Sequence, residues 1–320
     1  MENHIKIFAG NANRPLAEKI AARVGIPLSV ASIGRFPDGE ISVTYEETVR
    51  GRDVYIVQPT GMQPNEYLME LLIMADAARR ASAKRITAVM PFFAYARQDR
   101  KDRSRVPISA KLVANLLVAA GVNRVLTVDL HSPQIQGFFD IPVDHLYAAP
   151  LMVRYLREKL PAENRVVVAP DPGGLKMAYS YSQLLGAGLA LAGKHRTSAT
   201  EVEALELVGD VKGKDCVLTD DMTTTAGTLC AAAKLAKDHG AKSVRAVVSH
   251  CPITPLGIQR LKESAIEELI TTDTILPQSG WDGYAITVLT VADLLGDAIK
   301  RIYGDESVSK LFEIHQGRTQ

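Results

Sequence analysis

The feature that most limits the fold of this chain is a segment that occurs twice. Gly51-Arg52-Asp53-Val54-Tyr55-Ile56-Val57 is answered by Gly213-Lys214-Asp215-Cys216-Val217-Leu218-Thr219, an offset of 162 residues. Each is followed by a loop and an Ala-rich helical stretch. Ala83-Lys84-Arg85-Ile86-Thr87-Ala88-Val89 is then answered by Ala241-Lys242-Ser243-Val244-Arg245-Ala246-Val247, an offset of 158. Two matched blocks in one order favour internal duplication over chance likeness between two ordinary strand-helix-strand units. Ile5–Ala9, Val54–Gln58, Ile86–Met90, Val125–Val128, Val166–Ala169, Cys216–Thr219 and Val244–Ser249 read as strands. Helical stretches include Leu68–Arg80, Ala110–Ala120 and Leu229–His239. Such alternation builds parallel sheets covered by helices. The expected fold is α/β, with two duplicated domains, each a mainly parallel sheet flanked by helices. The boundary is expected near Tyr147–Leu151, giving domains 1–148, completed by the tail 303–320, and 149–302.

Bulk properties agree with this and exclude several function classes. The 320 residues suffice for two domains of the usual ~100–200 residues. A formal net charge of +1 leaves no global positive field for nucleic acid or an acidic membrane. The start, Met1-Glu2-Asn3-His4-Ile5-Lys6, lacks the basic and apolar regions of a signal peptide. The longest uncharged run, Met177 to Gly193, falls short of the ~20 apolar residues of a bilayer span. Cys216, Cys230 and Cys251 show no C-x-x-C spacing and suit a reducing compartment. A soluble, cytoplasmic protein with no nucleic-acid or membrane partner is expected.

The two copies differ where a difference can carry chemistry. The second ends its strand in Asp220-Asp221, the first in Gln58-Pro59. Only the second offers paired carboxylates, so one copy is expected to bind a sugar phosphate and the other to have lost that role. Carboxylates accept hydrogen bonds, and an adjacent pair suits the vicinal hydroxyls of a ribose. Thr224-Thr225-Ala226-Gly227-Thr228 adds hydroxyls and exposed backbone N–H groups. These lead into a helix whose positive start favours a phosphate, at the strand end where open parallel sheets hold ligands. The plainer reading is an acidic strand end with Thr228 capping a helix.

Other segments add candidate groups. Phe36-Pro37-Asp38-Gly39-Glu40 is by itself a turn with two acids, which can accept from an adenine amino group or a ribose. In Pro91-Phe92-Phe93-Ala94-Tyr95-Ala96-Arg97-Gln98-Asp99-Arg100 an aromatic cluster precedes Arg97 and Gln98, able to stack on a purine and bind its phosphates. The basic run continues through Lys101, Arg103 and Arg105, part of it a solvated face. Asp129-Leu130-His131-Ser132 closes one apolar strand, and Asp171-Pro172-Gly173-Gly174 follows another with a carboxylate for magnesium and glycines for a diphosphate. Lys194 and Arg196 precede small polar residues at 197–200, which suggest a loop able to close over a site. Gly188 to His195 nearly satisfies a Walker pattern, but His195 lacks the hydroxyl that magnesium needs and the run suits a strand.

Together these segments resemble the ribose-phosphate pyrophosphokinase family, whose sugar-phosphate loop belongs to the type I phosphoribosyltransferase fold. The likeness covers nearly the whole chain. The family loop usually reads D-D-M-x-D-T-x-G-T, and this chain carries Thr224 where a third Asp is usual. The family's K-x-R pair is matched by Lys194 and Arg196, with His195 between them. The resemblance implies an enzyme transferring the β,γ-diphosphoryl group of ATP to ribose 5-phosphate, with Mg²⁺ as cofactor. It assigns ATP to Phe36, Asp38, Gly39, Glu40, Arg97 and Gln98, and the sugar phosphate to Asp220, Asp221 and Thr224–Thr228. Metal would fall to His131 and Asp171, diphosphate to Gly173 and Gly174, and transition-state charge to Lys194 and Arg196. It further implies a homohexamer built from dimers, with allosteric phosphate at Thr48, Arg50, Ser307 and Ser309. A nucleobase phosphoribosyltransferase and a non-catalytic regulatory homologue are the alternatives.

Overall fold

Strands covered on both faces read as unbroken apolar runs, and Asp53–Val57 and Arg165–Ala169 are buried at every position. The computed structural model describes residues 4–195, 204–278 and 280–311. It divides into two compact units. The first comprises the described residues of Met1–Tyr147, Thr274–Leu276 and Thr290–Gln320, the second those of Ala148–Asp273 and Pro277–Leu289.

The first unit runs β1 (Ile5–Ala9), α1 (Arg14–Val24), β2 (Ala31–Arg35), β3 (Ile41–Tyr45), β4 (Asp53–Val57), α2 (Pro64–Arg80), β5 (Arg85–Met90), α3 (Ser109–Ala120), β6 (Arg124–Val128) and β7 (Val143–Leu146). Five strands form a parallel sheet in the order β1-β4-β5-β6-β7, and β2 and β3 make a separate antiparallel hairpin. The second unit runs α4 (Ala149–Lys159), β8 (Arg165–Ala169), α5 (Leu175–Leu185), β9 (Gly188–His195), β10 (Ala204–Val208), β11 (Asp215–Met222), α6 (Gly227–Asp238), β12 (Ser243–His250), α7 (Pro255–Lys262), β13 (Glu268–Thr272) and β14 (Ile286–Leu289). Its sheet, β10-β9-β8-β11-β12-β13-β14, is parallel except where β10 joins β9.

The order β8-β11-β12-β13-β14 repeats β1-β4-β5-β6-β7, and the repeat extends to single hydrogen bonds. Gly51 N donates to Ser82 O and Gly213 N to Gly240 O, both at 2.8 Å. Lys84 N donates to Arg52 O and Lys242 N to Lys214 O, again both at 2.8 Å. The Asp of each matched block ties its strand to the start of the next. Asp53 accepts from Arg85 at 2.7 and 2.9 Å, and Asp215 accepts from the Ser243 hydroxyl at 2.6 Å. The duplication read from sequence is therefore structural.

The last helix, α8 (Ala292–Tyr303), packs in the first unit against α1. Arg23 bonds Asp297 at 2.7 Å, and a Cβ on Gly296 would stand 2.6 Å from Arg23 Cγ, so the helices touch through a bare backbone. The chain thus returns to the first unit at Thr290, earlier than the tail at 303 expected from sequence. Gly188 to His195 is a strand, as the rejection of a Walker loop requires. The hairpin, β7, β10, β13, β14 and several helices had no counterpart among the expected elements.

Candidate active site

The carboxyl end of β11 carries the acidic pair. Residues 215–219 are buried, while Asp220 and Asp221 emerge half-buried at the strand end. Asp221 N donates to Asp220 Oδ1 at 2.9 Å. Burial pushes the Asp220 carboxyl up to about 8, with the hydrogen bond and charge of Asp221 and the charge of Asp171 acting in the same direction. Asp171, Asp220 and Asp221 therefore share one electrostatic neighbourhood.

The loop after the pair is built to expose amides. Thr223 is buried and its N–H bonds His250 O at 3.1 Å, anchoring the loop to β12. Ala226 sits in the left-handed region at φ 54°, ψ 10°, and α6 begins at the next residue. The hydroxyl-bearing Thr225 and Thr228 are exposed. Among the described residues, the N–H groups of Thr225, Ala226, Gly227 and Thr228 have no acceptor. An αL residue followed by a helix start makes a concavity of N–H groups suited to an anion. Thr228 does not act as the cap, since the cap position falls on Ala226.

Asp171 and its glycines form a tight turn into α5. Asp171 Oδ1 accepts from Gly174 N at 3.0 Å, leaving its second carboxylate oxygen open to other donors or a cation. Neither Gly173 nor Gly174 has a positive φ, so backbone freedom is not what requires them.

The first unit presents a different set. Phe36 to Glu40 is the tip of the β2–β3 hairpin, closed by Phe36 N to Glu40 O at 2.8 Å and Gly39 N to Phe36 O at 2.9 Å. Gly39 needs its freedom here, at φ 94°. Phe36 is 54% exposed, an aromatic ring held in solvent beside Asp38 and Glu40. Arg97 and Gln98 are likewise exposed, and the Ser109 hydroxyl donates to the Gln98 side-chain oxygen. One expectation fails in this segment. Phe92 and Phe93 are buried, Phe93 packing edge-on against Phe139 at 6.0 Å, so these rings fill the core and are not offered to a purine.

His131 is exposed on the loop after β6. Sequence reading missed the residue that shapes this loop. His145 on β7 accepts the Leu130 N–H at Nε2 (2.9 Å) and stacks near Tyr147 at 4.5 Å, and Asp129 beside it holds φ 38°. Among the described residues no cluster of three or more His, Cys, Asp and Glu side chains forms. Isolated hard oxygen donors such as Asp171 fit a Mg²⁺ that keeps water and substrate phosphates as most of its ligands.

Lys194 lies on β9 opposite Leu205 of β10, and Arg196 lies outside the described residues, as do residues 197–200. Thr48 and Arg50 are exposed, and Arg50 bonds the Ser82 hydroxyl at 3.1 Å. Ser309 N bonds the Ser307 hydroxyl at 3.2 Å.

The first copy shows what became of its own sugar-phosphate place. The offsets of 162 and 158 pair Gln58 with Asp220 and Glu70 with Thr228, and the strand register, which sets Ile5 opposite Asp53 and Arg165 opposite Asp215, pairs Asn11 with Asp171. Here α2 starts at Pro64 and runs 17 residues against the 12 of α6, so extra helix stands where the second copy has its loop. Glu70 is buried and accepts from Asn11 N (2.6 Å), Asn11 Nδ2 (2.8 Å) and Gln58 Nε2 (2.7 Å). The two positions that are carboxylates in the second copy are amides here, both bonded to an internal carboxylate. A cleft of about 280 Å³ lies beside the tip end of the hairpin, lined by Gly34, Arg35, Gln63, Glu66, Tyr67 and others. A Cβ on Gly10 would fall 2.2 Å from Gln58 Oε1. Gly10→Ala should therefore lower stability by about 1–3 kcal/mol, the usual cost of overpacking, read from the urea midpoint. An unshifted midpoint would mean the Gln58–Glu70 pairing is slack.

Comparison with known proteins agrees with this geometry. Residues 5–121 match the N-terminal domain of ribose phosphate pyrophosphokinase, and residues 195–313 match the phosphoribosyl synthetase-associated domain. The chain is 50% identical over 311 residues to a ribose-phosphate pyrophosphokinase of Marinomonas sp. (strain MWYL1), covering 96% of this chain and 98% of that one. This chain belongs to the ribose-phosphate pyrophosphokinase family. A second relative of that name, from Clostridium perfringens, is 51% identical over 318 residues, covering 98% of this chain and all of that one. The crystal structure of phosphoribosylpyrophosphate synthetase from Mycobacterium smegmatis superposes with a TM-score of 0.89 at 42% identity, covering 94% of this chain and 99% of that one.

Proposed function

We propose that this ribose-phosphate pyrophosphokinase converts ATP and ribose 5-phosphate to 5-phospho-α-D-ribose 1-diphosphate and AMP, for nucleotide biosynthesis. The observation that carries this is the asymmetry of the duplicated units. One keeps a diacid and an amide-lined loop, and the other has filled that place and instead exposes Phe36, Asp38, Glu40, Arg97 and Gln98. A nucleobase phosphoribosyltransferase needs the first set and has no use for the second.

In this reading Asp220 and Asp221 accept from the ribose hydroxyls, and the Thr224–Thr228 loop takes the 5-phosphate. The hairpin tip with Arg97 and Gln98 holds ATP. The anomeric oxygen bonds to the β-phosphorus as the α,β-bridging bond breaks, AMP departs with the electron pair, and the hydroxyl proton passes to solvent. Such transfers depend mainly on positioning and charge stabilisation. Asp171 and His131 are the residues assigned to Mg²⁺, which would neutralise phosphate charge when bound. Gly173 and Gly174 would line the diphosphate, while Lys194 and Arg196 meet charge developing in the transition state. The purified chain, given ATP, ribose 5-phosphate and Mg²⁺, should form AMP and the diphosphate product in equal amounts. No AMP would defeat the proposal, and would leave the non-catalytic homologue in its place.

A homo-oligomer, a hexamer built from dimers, fits the apolar side chains left in solvent at i, i+4 spacing, Leu112 and Leu116 on α3 and Leu175 and Tyr179 on α5. Solution mass checks it. Among the described residues no helix is long and apolar enough to cross a membrane. Thr48, Arg50, Ser307 and Ser309 are assigned to an activating phosphate. Velocity should rise with phosphate in the parent and respond about tenfold less in Arg50→Ala, through loss of one charge-assisted contact. A velocity flat across phosphate concentrations would remove this assignment.

A further inference from the structure

The amide-lined loop does not hold its shape alone. Its carbonyls are taken up by α7, an element to which neither sequence nor mechanism assigned a part. Thr224 O accepts from Thr254 N at 2.9 Å and from the Thr254 hydroxyl at 3.2 Å. Thr225 O accepts from Arg260 Nη1 at 3.2 Å. Across a trans peptide the C=O and N–H point in opposite directions. Fixing these two carbonyls toward α7 therefore turns the N–H groups of Thr225 and Ala226 away from it.

Two further details tie α7 to the loop. The Thr254 hydroxyl also accepts from Gly257 N at 3.2 Å, so one oxygen caps α7 and grips the loop together. A Cβ on Gly257 would lie 2.8 Å from Thr224 O, so that glycine is what lets the helix come this close. Meanwhile Ala226 must be kept at a positive φ, which an L-residue does not hold unaided.

We infer that Arg260 and Thr254 are positioning residues for ribose 5-phosphate, acting by orienting the Thr225 and Ala226 amides toward its phosphate. The inference rests on the proposed sugar-phosphate role of this loop. Arg260 is exposed at the surface, so its removal leaves the core untouched. Its planar fork meets the carbonyl in a way an ammonium does not reproduce.

The test is steady-state kinetics on the full chain. Arg260→Ala should raise KM for ribose 5-phosphate about tenfold or more, with kcat within about twofold and KM for ATP unchanged. Arg260→Lys should lie between parent and Ala, and millimolar guanidinium should restore part of the loss in Arg260→Ala. Thr254→Ser should behave as the parent and Thr254→Val as a weak binder of the sugar phosphate. Parent-like KM for ribose 5-phosphate in Arg260→Ala, or an equal rise in both KM values, would overturn the inference while leaving the loop's assignment intact. A parent chain that neither binds nor consumes ribose 5-phosphate would overturn both. Thr254→Ser and Thr254→Val keep the question decidable if Arg260→Ala folds poorly.

Discussion

Lys194→Ala should lower kcat about 10²–10³-fold, the usual loss when one charged donor aimed at a developing charge is removed. KM for ribose 5-phosphate should change much less. Diphosphoryl transfer moves negative charge onto the oxygen that leaves with AMP, and a fixed cation acts on that charge only as it forms. The strand supports such a role. β9 carries Lys194 at one of its last rungs with β10, Lys194 facing Leu205 and His195 facing Ala204 in the register. Its Cα is therefore held by a sheet. The side chain can be truncated without loss of these backbone hydrogen bonds, so the variant should keep its thermal midpoint. Lys194→Arg should recover part of the rate. Turnover equal to the parent's, or a loss confined to KM, would end the assignment of Lys194 to the transition state.

Much of this was legible in the residues, and the failures have physical reasons. β4 and β8 announce themselves because strands buried on both faces must be apolar throughout. The duplication was legible because each repeated Gly-basic-Asp begins a strand and the Asp ties it to the next, a local task that the sequence must spell out twice. The difference between Gln58 and Asp220 was legible too, but its meaning was not. Glu70 reaches Gln58 from a helix, 12 positions away, and nothing local indicates that a charged side chain there is buried. α7 was overlooked although Thr254-Pro255 is a cap followed by a first-turn proline, since the same pair also opens turns. Phe92 and Phe93 were misread because a run of aromatics does not say which side of a sheet it covers.

Asp220→Asn should make the fold more stable at alkaline pH and the enzyme poor, with kcat/KM for ribose 5-phosphate above pH 8, where the parent carboxyl is ionised, falling about 10–10²-fold for the loss of a charged acceptor. The stability argument follows from the protons. Burial, Asp221 and Asp171 raise the Asp220 carboxyl to about 8 in the fold, against about 4 in the unfolded chain. Between those values the folded protein keeps a proton that the unfolded chain has released. Stability therefore falls as pH rises through about 4 to 8 in proportion to this group, and the loss is complete above it. Asparagine cannot titrate, so the variant's advantage over the parent should grow from pH 6 to pH 9, reaching about 1–3 kcal/mol, the scale of an uncompensated buried group. Urea midpoints without added cation or ligand measure it, and taking variant minus parent cancels the titrating groups remote from Asp220, Asp221 and Asp171. A constant difference between the two pH values would show that Asp220 is not strained by its neighbours. A difference that grows would mean that the empty site holds a carboxyl against burial first and the charges of Asp221 and Asp171 second, which a ligand donating hydroxyls to both carboxylates relieves.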